Sequence, residues 1–151
     1  MLKSIVERHA KRLEINTDRA YGHAMLFAIL TGLVENGGRL QGSNPTSSAK
    51  GLYQFLAGSV EPAVNRLRRN WKEEPWMSEV VEHKDTGLLT WEQQTALFLA
   101  DLLEKRGSYF LMRRVLQTGG AQDMIQAYSV LHHTNPDEQT KARARRIFNG
   151  T

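Results

Sequence analysis

Apolar residues recur along this chain at helical spacing. Leu2, Ile5, Val6, His9 and Leu13 fall on one helix face, with charged residues between them. Thr17 or Asp18 is placed to cap a second helix that runs to about Val34, and Gly37-Gly38 stops it. Residues 36–50 are rich in Gly, Ser and Asn and read as a long loop, with room for a short hairpin. A helix is expected to begin near Ser59, with Pro62 in its first turn and Val64 and Leu67 facing inward.

Residues 71–89, with Pro75 and Gly87, are less regular. Thr90-Trp91-Glu92-Gln93 has capping-box spacing and predicts a helix to about Arg106, with Ala96, Leu97, Leu99, Ala100 and Leu103 apolar. Two more helices are expected over 109–116 and 121–131, split by Gly119-Gly120. A last one begins at Asn135-Pro136 and ends near Asn149-Gly150. The expectation is a mainly α protein, six to eight helices around one core, forming a single domain over 1–151.

Composition narrows the class without naming a function. The 151 residues are 40% hydrophobic and 24% charged, ordinary for a chain that buries a core. Cysteine is absent, which removes disulfides and thiolate metal sites. The net charge of +4 favours anionic partners such as nucleic acid, a membrane surface or a cell-wall polymer. The first residues are too charged for a secretory signal. The longest apolar stretch, 24–34, falls well short of the roughly 20 residues that span a bilayer. A chain made soluble, with no stable membrane insertion, is expected.

Glu35 is the residue with the most chemical potential. It leaves a helix made apolar by Met25, Leu26, Phe27, Ile29, Leu30, Leu33 and Val34. A carboxyl emerging there is partly desolvated, and desolvation alone raises its pKa. A glycosidase general acid needs that, because it must hold its proton near neutral pH. The bland alternative is a solvated acid at a helix C-terminus, a mildly unfavourable place for a negative charge.

The segment after Glu35 is more specific. Asn44-Pro45 lies in the loop, Ser47-Ser48-Ala49 makes a small-residue turn, and Gly51-Leu52-Tyr53-Gln54 closes the unit. In order and spacing this resembles the catalytic core of the soluble lytic transglycosylase family, within the lysozyme-like superfamily. That family has a catalytic Glu, usually followed by Ser, then a loop often containing Asn-Pro, a Ser-rich turn and Gly-Leu-Met-Gln. The chain departs from it at Asn36, at Tyr53 and around Pro45-Thr46. A weaker match is Ala127-Tyr128-Ser129, aligned with a family segment whose Tyr hydrogen-bonds the catalytic Glu.

The resemblance implies a lysozyme-like fold and a peptidoglycan-cleaving enzyme. Glu35 would protonate the glycosidic oxygen between N-acetylmuramic acid and N-acetylglucosamine, then take the proton of the sugar's own 6-hydroxyl and leave a 1,6-anhydro ring. It also implies that Gly51, Tyr53, Gln54, Phe55 and Tyr128 line the substrate, with Ser47 and Ser48 on sugar hydroxyls or shaping the turn. Trp71 and Trp76 are further candidates for stacking. Phe55 is also placed to pack in the core between Leu52 and Leu56.

No Asp or Glu occurs from Asn36 through Val60, so a second local carboxylate is missing. This favours a single-acid mechanism. A hydrolytic lysozyme stays open as the alternative if Asp85 or Asp101 folds into the site. Five histidines form no metal pattern, and His132-His133 cannot share one α-helix face. No metal or cofactor is expected. Lys141, Arg143, Arg145 and Arg146 make a basic last helix, and Arg66, Arg68 and Arg69 a second cluster suited to stem-peptide carboxylates.

The expected partner is the glycan strand of the bacterial wall, acted on by a monomer. A phage endolysin or a virion-borne muralytic domain would reach the periplasmic wall without a signal peptide, through a holin or with the injecting virion. A basic module that binds nucleic acid explains the charge but leaves the 35–55 pattern without a reason. A virion protein that keeps the fold without activity is a third reading.

Overall fold

The computed structural model describes residues 2–39, 49–55, 57–71, 89–105, 109–133 and 136–150. Among them are seven α-helices and no strand. The helices are α1 (Leu2–Leu13), α2 (Thr17–Asn36), α3 (Ala57–Trp71), α4 (Trp91–Glu104), α5 (Tyr109–Thr118), α6 (Ala121–Ala127) and α7 (Glu138–Asn149). A π-helical turn, Tyr128–His132, continues α6.

The apolar spacing of α1 buries Leu2, Ile5, Val6, His9, Ala10 and Leu13 on one face. The cap of α2 lies one residue earlier than expected. Asn16, not Thr17 or Asp18, accepts the amide of Arg19 through its side chain at 3.0 Å. Gly37 ends α2 at φ 60°, a left-handed conformation that glycine adopts without a Cβ penalty. Thr90 and Gln93 form the full capping box of α4. That helix is the centre of the molecule, with Ala96 through Ala100 and Leu102 all fully buried. α3 begins at Ala57, so Pro62 lies inside the helix rather than in its first turn.

One hydrophobic cluster draws residues from all seven helices. Phe27 of α2 meets Phe98 of α4 and Phe148 of α7 edge-on, at 5.8 and 6.0 Å between ring centres. This pins the C-terminal half of α2, which carries Glu35, against α4 and α7. Among the described residues no helix is long and apolar enough to cross a membrane.

The expected loop over 36–50 lies largely outside the described residues. The turn at 49–55, just after it, is described. Lys50 and Phe55 pair as one isolated antiparallel bridge. The turn seats Leu52 on Gly32 of α2, where a Cβ would come within 2.8 Å of the Leu52 side chain. Gln94 of α4 accepts the Leu52 amide at 2.8 Å and donates to the Leu89 carbonyl at 3.0 Å. Asn36, at the end of α2, donates to the Gly51 carbonyl at 3.2 Å. Asn36 thus ties the Glu35 helix to the turn.

Candidate active site

Glu35 occupies the last turn of α2, between the buried Val34 and Asn36. Only 9% of its side-chain surface is exposed. A buried carboxylate needs partners, and two come from the far end of the chain. The Tyr128 hydroxyl donates to Glu35 Oε1 in a short hydrogen bond. His133 Nδ1 lies 3.2 Å from the same oxygen and 3.1 Å from the Tyr128 hydroxyl. An ionised carboxylate only accepts, so the nitrogen facing it carries a proton in the Glu35 anion.

The π turn makes this grouping possible. On an α-helix, residues five apart point in different directions. Here the His133 amide bonds to the Tyr128 carbonyl at 2.9 Å, the i to i−5 bond of a π turn, and the two side chains converge on one point. Ser129 contributes, because its hydroxyl takes the Ile125 carbonyl at 2.7 Å and competes with the backbone donor of the α pattern. Lys105 reaches the Leu131 carbonyl at 3.3 Å.

His132 faces the other way. Its Nε2 donates to the Tyr53 carbonyl at 2.8 Å, which ties the site to the 49–55 turn. Its ring meets Phe98 edge-on at 5.1 Å and Phe55 at 5.9 Å. α7 closes the remaining side. Arg143 Nε donates to the Val34 carbonyl at 2.8 Å and so caps the helix end that holds Glu35. Asp137 caps α7 by accepting the Thr140 amide at 2.7 Å.

The electrostatics correct the expectation of a raised Glu35 pKa. Burial does push this carboxyl up. The hydrogen bond from His133, the charge of His132, the Tyr128 hydroxyl and the charge of His133 outweigh it, and the pKa falls below the ordinary 4.5. Burial holds His132 below its own ordinary value, against the pull of the Glu35 charge. His133 moves the opposite way. Its hydrogen bond to Glu35 raises its pKa above 6.5, against partial burial and with help from the Glu35 charge. Burial and the Glu35 anion push the Tyr128 phenol well up, so it stays protonated.

Other expected site residues fall elsewhere. Tyr53 is not a sugar platform, with only 1% of its surface exposed. Its ring stacks on Phe98 at 4.2 Å and its hydroxyl bonds Thr95 at 2.9 Å. Phe55 is also core, at 4% exposure, which excludes stacking on a substrate. Gly51 turns at φ 77° and offers its carbonyl to Asn36 and to Gln54, whose Nε2 donates at 2.7 Å. Gln54 is half-buried and itself left-handed, at φ 51°. Ser47, Ser48, Trp76 and Asp85, and the side chain of Trp71, lie outside the described residues.

Asp101, one possible second acid, is buried and ion-paired with Arg66. That pairing also takes Arg66 away from the stem-peptide role. Among the described residues no group of three or more His, Asp or Glu is placed to hold a metal ion.

Sequence reasoning missed His132, His133, Asp137 and Arg143. The adjacent pair His132-His133 fails metal-ligand spacing. The signal present in the chain was Tyr128 and His133 five apart, just before the Pro136 break. Comparison of the chain with protein-family models, with curated proteins and with solved structures finds no match.

Proposed function

We propose that this protein is a peptidoglycan-cleaving lytic transglycosylase with a lysozyme-like fold, in which Glu35 serves first as general acid and then as general base. The observation that carries the reading is the Tyr128 hydroxyl on the Glu35 carboxylate, between segments 93 residues apart in sequence. The resemblance assigns that contact to the same two positions. A carboxyl at the dry exit of an apolar helix, oriented by a phenol that stays protonated, is suited to passing one proton out and taking one back.

In the reaction Glu35 gives its proton to the glycosidic oxygen, and the C1–O bond breaks. The substrate's own 2-acetamido group steadies the positive charge at C1. The Glu35 anion then removes the proton of the 6-hydroxyl, and O6 bonds to C1. No water is consumed and Glu35 ends protonated, as it began.

A hydrolytic lysozyme would use a second carboxylate within about 5–9.5 Å of the first. Asp101 and Asp137 both serve structural partners, Arg66 and the α7 N-terminus. The proposed target is the glycan of the periplasmic wall, reached by holin-assisted release or as part of a virion. The direct test is wall clearing. Glu35→Gln should abolish lysis of permeabilised Gram-negative cells while circular dichroism stays unchanged. Clearing at the parental rate would remove the proposal.

A further inference from the structure

We infer that His133 is the proton reserve of Glu35, holding on Nδ1 the proton that the carboxyl carries when it acts as an acid. This rests on the proposed function and addresses a difficulty inside it. A general acid must be protonated when the glycosidic bond breaks. The donors around Glu35 favour its anion in the free protein. A lone carboxyl with these partners would be empty of its proton across the neutral range.

The geometry supplies the missing proton. Glu35 Oε1, Tyr128 Oη and His133 Nδ1 form a closed triangle, with 3.2 and 3.1 Å from the imidazole to the other two atoms. His133 is the more exposed partner, at 38% of its side chain against 9% for Glu35. Water therefore stabilises the imidazolium in the free protein. A glycan strand laid over the site would exclude that water. Loss of water disfavours the ion pair relative to the neutral pair. The proton then moves from His133 Nδ1 to Glu35 Oε1, leaving a neutral imidazole and a carboxylic acid at unchanged total charge.

Glu35 recovers a proton from the 6-hydroxyl, so the pair ends each turnover with the same proton count. His133 acts through Glu35 and is a positioning residue, not one that touches the scissile bond.

The charged neighbours are compatible with this role. Glu35 faces His133 from α2. Asp137 and Arg143 face it from the α7 side and pull in opposite directions. His132, on the same turn, is held neutral by burial near neutral pH, and Asp101 acts on His132. Tyr128 keeps its proton and hands it to neither partner.

Two measurements on the full chain test the reserve. The first follows the His133 imidazole by NMR during a pH titration. In the parent it should titrate above 6.5, and in Glu35→Gln its pKa should fall. A value that Glu35→Gln leaves unmoved overturns the sharing. The second is the pH profile of wall clearing by His133→Gln, which keeps a hydrogen-bonding side chain but has no proton to lend. Its alkaline limb should move down by about one pH unit or more, costing about tenfold or more activity at neutral pH. At acid pH activity should return to near the parental level.

Equal loss at every pH, or no loss, overturns the reserve. If Glu35→Gln is dead while His133→Gln keeps the parental profile, the reserve fails and the proposed function stands. If Glu35→Gln still clears walls, both fail.

Discussion

Tyr128 and His133, five residues apart, face the same oxygen of Glu35 because the backbone between them is wound as a π turn. An α-helix through the same residues would turn one of them away. The site is therefore a product of an irregularity in winding, held by Ser129 on one side and by the Tyr53 carbonyl, through His132, on the other.

The Tyr128 hydroxyl orients Glu35, and removing it should slow the reaction without unfolding the chain. A hydrogen bond to a charged group contributes about 1.5–3 kcal/mol. Tyr128→Phe should therefore lower the clearing rate by about 10- to 100-fold, with the thermal midpoint shifted only slightly. An unchanged rate would show that the contact has no part in catalysis.

Tyr53 should behave in the opposite way. Its ring and hydroxyl are spent on Phe98 and Thr95, and burial pushes its pKa to about 12. Tyr53→Phe should cost about 1 kcal/mol of stability in a denaturant melt. Clearing per folded molecule should stay at the parental level. A selective loss of substrate affinity would restore the sugar-contact role that the buried ring argues against.

The Glu35–His133 pair gives stability a defined pH window. The raised His133 pKa contributes stability that is complete below the unfolded value of about 6.5 and is lost as pH rises through the folded value. The lowered Glu35 pKa contributes stability present above about 4.5 and lost as pH falls through its folded value. Both act together between about 4.5 and 6.5. Urea melts of parent and His133→Gln should differ most there and converge at alkaline pH. Taking the difference removes the opposing effect of His132, whose suppressed protonation disfavours the fold as pH drops. A gap that is constant with pH would refute the pairing.

Asp101 separates the two chemistries. If its role is the ion pair with Arg66, Asp101→Asn should weaken the fold, because breaking a partly buried pair from one side leaves the other charge uncompensated. The folded fraction should still release anhydro ends. Folded protein without activity would indicate a second catalytic carboxylate.

Much of the helical frame was legible in the chain. Thr90 and Gln93 marked the start of α4 at capping-box spacing, and both bonds form. Gly119 parted α5 from α6, at φ 59°. The cap of α2 was misplaced because Asn16, Thr17 and Asp18 are all good caps in succession, and side-chain geometry alone chooses among them. Glu35 stood out locally as a carboxyl leaving an apolar helix, but Tyr128 was legible as its partner only through resemblance, since nothing local joins residues so far apart. His133 was illegible because periodicity assumes an α-helix and the π turn breaks it. Tyr53 misled because the same pattern fits a ring facing substrate or a ring facing Phe98, and only the packing distinguishes them.

Mass spectrometry of the muropeptides released from purified peptidoglycan, by the parent and by Glu35→Gln, decides the chemistry. The parent should release products one water lighter than reducing-end muropeptides, and Glu35→Gln should release none. Reducing ends from the parent, or anhydro products from Glu35→Gln, would be incompatible with a single carboxyl acting as acid and then base.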